Sequence, residues 1–503
     1  MVVDYAATLG LFETCAILSL RLRHLGGLVV SMLTSVLSRR RPAAILAATG
    51  IASAVVFLAR PAVAYAAGVD EETVFVFNTF AFLVWGALVM WMCAGFTMLE
   101  SGSVRTKNAS MICLKNIGLY SIAGLAYFFI GYNLMYGDTL GGIIGTPGFM
   151  YLPSGDELDL LGDKEGALAS VLADGAGYSV MSDWFFQMVF VATAASIVSG
   201  ALAERVKMWS FFLFTLLLTA IIYPIVGAWT WGGGWLDELG FQDFAGSTIV
   251  HSTGGWAALA GMLVVGPRLG KFRKDGSVKA TPPSNILVVT LGVFILWFGW
   301  FGFNGGSQLA LGSAVDAVAM SIVLVNTNLA AAAGVMAALA ISRPVLGRID
   351  LFAGLNGAIA GLVSITAAPD IAEPVAGIPG HLWAVIIGAI GGAICVGGLK
   401  LLEQVRLDDV VGAVPAHLFA GAWGTLAASI AGGAKIHIQL LGIVAIGVFV
   451  FAVSYGLWLL IERTIGVRVP HSVERLGQDA GELGMESYPE FVLMPEEDLS
   501  EED

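Results

Sequence analysis

Charged residues are scarce in this chain: they make up 13% of its 503 residues, against roughly 25% in an average soluble domain. Hydrophobic residues make up 57%. This composition excludes an ordinary soluble protein and predicts a single integral membrane domain. The net charge of −13 comes largely from the segments 156–174 and 482–503, which we interpret as solvated loop and tail. An acidic chain of this kind argues against a nucleic-acid partner.

Cysteine is also rare, with four residues and no spacing typical of a metal site, so the sequence predicts packed thiols and no disulfide framework. These are Cys15, Cys93, Cys113 and Cys395. The chain has no recognisable catalytic nucleophile, metal-ligand set or phosphate-binding loop. We therefore expect no enzyme activity, no cofactor and no metal.

The first residues resemble a processing segment. Three arginines at 39–41 precede the apolar run from Ala43 to Leu58, and Ala64-Tyr65-Ala66 has the small residues of a signal-peptidase site. We expect residues 1–66 to be a leader with a signal peptide cleaved near Ala67, which leaves the mature N-terminus outside. Residues 67–467 are then the transmembrane domain, and residues 468–503 a cytoplasmic regulatory and acidic tail.

At about 20 apolar residues per span, the remaining sequence predicts eleven transmembrane helices, with starts at roughly residues 76, 110, 183, 209, 246, 284, 317, 351, 382, 413 and 437. Basic residues concentrate in the loops after the odd-numbered spans, as in Arg105, Lys107, Arg205 and Lys207. Basic loops stay in the cytoplasm, so the positive-inside rule also places the tail there. The predicted fold is an all-α polytopic membrane protein in contact with lipid.

Two segments resemble each other in opposite halves of the chain. Asp243 precedes His251 by eight residues at the start of span five, and Asp409 precedes His417 by eight residues at the start of span ten. These two spans enter from opposite sides, which indicates an inverted repeat of five plus five spans and a final helix. Eight helical residues rise about 12 Å, so each imidazole is predicted to lie close to the middle of a core roughly 30 Å thick.

Buried ionisable residues at that depth usually serve a function, although a histidine can also simply bond neighbouring helices. Asp243 and Asp409 have two interpretations. Each can cap the helix that follows, and each can place a negative charge at a mouth of a pathway, where it favours a cation.

Aromatic residues form a third group. Phe186 and Phe190 share a helix face, where they can stack or simply pack in the core. Trp231 stands at the outer end of span four, where it can anchor the interface or bind a cation. Span six ends with Trp300-Phe-Gly-Phe303-Asn-Gly-Gly-Ser307, whose glycines permit close packing and whose serine can accept a hydrogen bond.

These motifs resemble the ammonium transporter family, the Amt branch of the Amt/Rh/Mep proteins, from about Phe77 to Tyr488. The most specific segment is Asp243-Phe-Ala-Gly-Ser-Thr-Ile-Val-His251-Ser-Thr-Gly-Gly. Further family blocks are Gly200-Ala-Leu-Ala-Glu204-Arg205, Trp300-Phe-Gly-Phe303-Asn and Gly421-Ala-Trp-Gly-Thr425.

The resemblance implies a homotrimer in the inner membrane with one pathway per protomer, for ammonium or ammonia and for methylammonium as an analogue. It implies an outer site that recruits ammonium and, below it, a gate made of two phenylalanines. The histidine pair lies beneath the gate, and two aromatic residues lie further in. The recruitment residues are Trp231, Phe186, Ser307 and Asp243. The gate is Phe186 with Phe190, the twin histidines are His251 and His417, and the inner residues are Trp300 and Phe303.

Two residues depart from the family pattern. Glu100 stands at the inner end of span one where an aromatic residue is found in the enteric subgroup. In the tail, Gly477-Gln-Asp479-Ala-Gly-Glu-Leu483-Gly484 resembles a regulatory motif with leucine in place of histidine. The resemblance of the tail implies a PII-type signalling protein as a partner at the cytoplasmic face.

Three other functions are compatible with parts of the pattern. An Rh-like channel would pass ammonia or carbon dioxide without current, and a sensor would bind ammonium and act through a partner. The histidines could also ligate a haem, which would require axial ligands about 4 Å apart across the iron and room for a porphyrin. The phenylalanine, tryptophan and glycine residues around them disfavour the haem.

Overall fold

The computed structural model describes residues 69–173 and 176–489. The predicted leader and signal peptide, and the acidic end of the tail, lie outside these residues. The described chain is almost entirely helical, with one two-residue hairpin in which Thr139–Leu140 pairs antiparallel to Ile144–Gly145.

Eleven apolar helical segments follow one another in the predicted order, and we number them as spans 1 to 11. Ten are long and apolar enough to cross a bilayer, whereas span 8 has only 15 residues. The all-α polytopic fold is thereby confirmed. The spans are Glu71–Ser103, Thr106–Tyr136, Val180–Ala201, Met208–Trp229, Ser247–Val265, Ile286–Gly306, Ala314–Leu346, Leu351–Ile365, Gly380–Gln404, Val414–Ala431 and Ile436–Thr464.

Shorter helices lie between and after the spans. Two stand between spans 2 and 3, one between spans 4 and 5, and the last two follow span 11. They are Gly155–Leu161, Ala167–Ala173, Trp235–Leu239, His471–Leu476 and the π-helical Asp479–Leu483.

Four spans contain a π-helical turn, a rare local widening of the helix that recurs at functional sites. Spans 2 and 4 contain one in their interiors, at Tyr127–Gly131 and Leu218–Ile222. Spans 5 and 10 begin with one, at Ser247–Ser252 and Val414–Phe419. The last two turns occupy matching positions in the two halves and carry the two histidines, as expected for an inverted repeat.

Glycines bring the helices of the second half into close contact. A Cβ atom added at Gly388 of span 9 would lie 2.1 Å from the carbonyl oxygen of Ala330 in span 7. One added at Gly392 would lie 2.2 Å from the carbonyl oxygen of Gly334. Small residues at such crossings let helix backbones approach in lipid, where burial of apolar surface provides little driving force.

A buried ion cluster connects the loops that follow spans 1, 3, 5 and 9. Glu204 pairs with Arg105 and, at 3.0 Å, with Arg268, whose guanidinium also donates to Asp408 at 2.8 Å. Arg205 donates to the carbonyl oxygen of Asp408. Burial alone would raise the pKa of Asp408, but hydrogen bonds from Arg268 and the charge of Arg205 hold that pKa below its ordinary value. The Glu204-Arg205 block is therefore structural.

The segment after span 11 packs on these same loops. Arg468 forms an isolated antiparallel bridge with Val206. Asp479 accepts hydrogen bonds from the backbone N–H groups of Ser110 and Met111, at 3.0 and 2.7 Å. Asp479 thus caps the first turn of the long helix in span 2, where unpaired N–H groups favour a carboxylate.

Candidate functional site: a buried histidine pair between two cavities

His251 and His417 meet in the interior of the molecule. Their Nδ1 atoms are 3.2 Å apart and their ring planes lie 28° from parallel. Both side chains are almost completely buried, at 0% and 4% exposure. Two neutral imidazoles make such a contact when one Nδ1 donates and the other accepts. The contact therefore links the two halves of the repeat by one hydrogen bond between the imidazoles.

The other ring nitrogen of His251 faces no hydrogen-bonding group of the described residues. Its Nε2 atom is buried and forms no hydrogen bond with any of the described residues. Buried polar groups are nearly always satisfied, and an exception calls for a ligand, a water molecule or a functional role. This nitrogen is available to a small solute that can donate or accept a hydrogen bond.

Each histidine is positioned by the aspartate eight residues before it. Asp243 accepts four backbone hydrogen bonds, from Gly246, Ser247, Thr248 and Ile249, at 3.1, 2.7, 2.8 and 2.9 Å. Asp409 accepts from Gly412 and Val414, at 3.0 and 2.8 Å.

Both carboxylates therefore cap the π-helical turns, and Asp243 is fully engaged in doing so. Asp243 also acts on the predicted recruitment site through its backbone, because its carbonyl oxygen accepts a hydrogen bond from Trp231 Nε1 at 3.1 Å. Its side chain does not line either of the cavities described below.

A column of aromatic rings leads to the histidines. Phe186 and Phe190 are in contact, with ring centres 4.8 Å apart and planes inclined by 54°. The closely stacked pair is Phe190 with Phe303, at 3.9 Å and 24°. The ring centres of Phe303 and His251 are 5.2 Å apart. Phe303 thus stands between the predicted gate and the histidines. The resemblance implies a position for Phe303 further in, beyond the histidines, whereas the structure places it against the gate.

Trp300 holds the histidine pair from the side. Its ring stacks on His251, with centres 4.8 Å apart and planes 19° from parallel. Its indole N–H donates to Thr366 Oγ1 at 2.9 Å, at the end of span 8. A ring fixed at both ends restricts the orientation of His251.

Two cavities lie along the column of rings, apart from a cavity of about 390 Å³ beside the tail. The first, which we call the wide cavity, measures about 380 Å³. It brings together four of the predicted residues, Phe186, Phe190, Trp231 and Ser307. Ser307 Oγ donates to the carbonyl oxygen of Phe303, so its lone pairs remain free to accept.

The second, which we call the narrow cavity, measures only about 10 Å³ and adjoins the other side of the histidine pair. His417, Phe96 and Glu100 are among the residues that line it. Glu100 is buried, accepting hydrogen bonds from Ser199 Oγ at 2.7 Å and Asn116 Nδ2 at 3.3 Å. The wide cavity, the aromatic rings, the histidine pair and the narrow cavity thus form one series through the molecule.

Residues 80–488 match the model of the Ammonium Transporter Family. The chain belongs to the ammonium transporter family. Among curated relatives, it is 39% identical over 442 residues to ammonium transporter Amt2 of Archaeoglobus fulgidus, with 82% of this chain and 88% of that protein covered. These comparisons confirm the family that the motifs indicated.

Two solved structures have the same fold. A structure titled "Sensor Amt Protein" superimposes with a TM-score of 0.73 at 34% identity, covering 82% of this chain and all of that one. Candida albicans Mep2 superimposes with a TM-score of 0.66 at 27% identity, covering 80% of this chain and 89% of its own.

Two features of the site were not predicted from the sequence of this ammonium transporter family member: the position of Asp183 and the stacking of Phe303. Asp183 lines the wide cavity and was not predicted. Its spacing from Phe186, Gln187 and Phe190 by three, four and seven residues was the available signal, because residues so spaced share one helix face. The stacking of Phe303 on Phe190 joins different spans, and no local pattern reveals it.

Gly306 provides a test of the wall that holds Phe186. A Cβ atom added there would lie 2.3 Å from Cε2 and 2.6 Å from Cζ of the Phe186 ring. We expect Gly306→Ala to reduce ammonium-induced current in proteoliposomes by about tenfold, since overpacking costs about 1–3 kcal/mol. The matched control is Gly305→Ala, whose added Cβ would lie 3.1 Å from the end of Leu324 and at ordinary contact distance, 3.7 Å, from the Trp85 ring. Equal currents from both variants would show that the Phe186 position is not critical.

Proposed function

We propose that this protein takes up ammonium across the inner, or plasma, membrane of a bacterium. In this mechanism the wide cavity recruits the cation and the ion loses a proton near the phenylalanine rings. Neutral ammonia then passes His251 and His417, while the proton crosses separately along the histidine pair or a chain of water molecules. The observation that carries the proposal is the continuous series of cavity, rings, histidine pair and second cavity.

The chemistry of the solute favours this separation. A bare ammonium ion is costly in an apolar interior unless other groups replace its water. Potassium has a similar size and charge but no proton to give up, so deprotonation distinguishes the two ions. An imidazole pair suits the passage of ammonia because each ring has one donor and one acceptor when neutral.

The proposal assigns a role to each group of site residues. Trp231, Phe186 and Ser307 receive the cation by cation–π attraction and hydrogen bonding, and Asp243 supports them as the cap that holds Trp231. The gate consists of Phe186 and Phe190, with Phe303 stacked on the latter. Trp300 orients His251 within the pathway. Methylammonium is the expected substrate analogue.

The orientation follows from the loop charges. The wide cavity opens on the side of the loop between spans 2 and 3, which we place outside, and Glu100 and the ion cluster then face the cytoplasm. Membership of the family also supports a homotrimer. The tail packed on the cytoplasmic loops would offer a docking surface for a PII-type signalling protein, with Leu483 in place of the usual histidine.

Two alternatives make different predictions. An Rh-like channel would pass ammonia without net charge movement, whereas the proposed mechanism moves one charge per ion. A sensor acting through a partner is the second candidate, supported by the likeness to the structure titled "Sensor Amt Protein". A sensor of that kind would bind ammonium without sustained transport.

The deciding experiment measures current on a solid-supported membrane carrying proteoliposomes. We expect a saturable current on addition of ammonium and none on addition of potassium at equal concentration and ionic strength. Accumulation of labelled methylammonium under a membrane potential, inside negative, would accompany it. Uptake without current would favour the Rh-like channel, and binding without uptake would favour the sensor.

A further inference from the structure

The wide cavity contains a carboxylate that the proposed recruitment residues do not include. Asp183 stands in the first turn of span 3, is 7% exposed, and lines the wide cavity beside Phe186 and Gln187. It is the only Asp, Glu, Lys, Arg or His among the described residues that line this cavity.

No cation of the described chain balances this charge. The ion pairs found among residues 69–173 and 176–489 do not include Asp183. The groups that hydrogen-bond to its carboxylate are neutral, namely the hydroxyl of Tyr132 and, at a long 3.4 Å, the amide of Gln187. A buried carboxylate without a cationic partner is unfavourable, so the arrangement favours a cation from outside the chain.

Acceptor atoms are also in excess at this position. A carboxylate has about four lone-pair sites, and Asp183 uses two of them. Gln187 is 7% exposed, and its Oε1 atom is buried with no partner among the described residues. Tyr132, Tyr136 and Tyr178 line the same cavity, and the Tyr132 hydroxyl is already used as a donor to Asp183. A small cation that carries several N–H donors would satisfy these acceptors together.

Helix capping does not account for the carboxylate. Asp183 lies in the first turn, where a negative charge interacts favourably with the helix dipole. Among the described residues, however, its carboxylate accepts hydrogen bonds from side chains and not from backbone N–H groups. This contrasts with Asp243, whose carboxylate is occupied by four backbone donors. Of the two aspartates near the wide cavity, only Asp183 has capacity left for a ligand.

We infer that Asp183 and Gln187 form an anionic acceptor site in the wide cavity that binds the ammonium cation and sets the apparent affinity of transport. This inference rests on the proposed function. It adds a group that supplies negative charge to the aromatic residues that recruit the cation. Phe186 lies on the same helix face, so a cation held by Asp183 is positioned directly beside the ring it must pass.

The test compares Asp183→Asn with wild type in the full-length protein in proteoliposomes. The half-saturating ammonium concentration should rise by about tenfold or more, because a charged hydrogen-bond acceptor is replaced by a neutral one. The maximal current should change by less than about twofold, since loss of binding alone raises KM and spares kcat. The matched control is Asp156→Asn, which removes an exposed acid from the loop between spans 2 and 3 and should leave both values unchanged.

A second variant separates binding from support of the fold. Tyr132→Phe keeps the charge of Asp183 but removes its hydroxyl donor, so the half-saturating concentration should stay the same or fall. If Tyr132→Phe and Asp183→Asn weaken binding equally, the carboxylate serves to hold Tyr132 and the inference is overturned. A current curve for Asp183→Asn that coincides with wild type overturns it as well. Absence of current from the wild-type protein would instead refute the proposed function.

Discussion

Removing both imidazoles, in the variant His251→Ala, His417→Ala, should reduce the ammonium-induced current by at least about tenfold, in line with the usual contribution of a positioned proton-transfer group. The two rings share a hydrogen bond at 3.2 Å and are nearly inaccessible. Alanine leaves an apolar gap with no group to accept the proton or to bond ammonia. Solid-supported-membrane current at saturating ammonium measures the effect.

Two controls limit the interpretation of that result. His437→Ala removes an exposed histidine at the start of span 11 and should leave the current unchanged. His251→Asp keeps an ionisable group within the pathway. If this variant still conducts but its ratio of ammonium to potassium current changes, the result supports a role of His251 in proton transfer. Undiminished current in the double alanine variant would contradict proton transfer along the histidine pair and would indicate that the two rings serve only to pack the helices.

The spans and the histidine pair could be predicted from sequence because their signals are local. Apolar runs of membrane length predicted the order of all eleven spans, including the short span 8. The eight-residue spacing from Asp243 to His251 and from Asp409 to His417 predicted that the rings would meet. That prediction depended on orientation, since only spans that enter from opposite sides bring the two imidazoles together.

The rest of the site depends on contacts between distant segments. Phe303 stacks on Phe190 across two spans, and Trp300 reaches both His251 and Thr366. No periodicity within one span encodes such pairs. The π-helical turns at the starts of spans 5 and 10 were not predicted either, because a straight helix was assumed when the depth of each histidine was calculated.

Asp243 can act as a helix cap or as a negative charge at the mouth of the pathway, and a large effect on thermal stability is expected from the first role. As a cap, its carboxylate satisfies four buried N–H groups, each of which would cost about 1–3 kcal/mol if left unpaired. Asp243→Ala should therefore lower the thermal unfolding temperature more than any other cap variant among the described helices. Tryptophan fluorescence of the detergent-solubilised protein during heating provides the measurement.

A graded series of caps makes this prediction specific. Asp409→Ala removes two hydrogen bonds to backbone N–H groups, and Asp70→Ala removes one at the exposed start of span 1. The loss of stability should therefore decrease in the order Asp243, Asp409, Asp70. Asp243→Asn keeps one acceptor oxygen and should lie between Asp243→Ala and wild type.

The same series separates the cap from a charge at the mouth of the pathway. If capping is the main role, current and unfolding temperature should fall together, because loss of the cap also releases Trp231 from the Asp243 carbonyl oxygen. If Asp243→Ala keeps the wild-type unfolding temperature but loses current, the carboxylate acts on the cation directly. In that case the charge at the mouth would come from Asp243, and Asp183 would no longer be its only source.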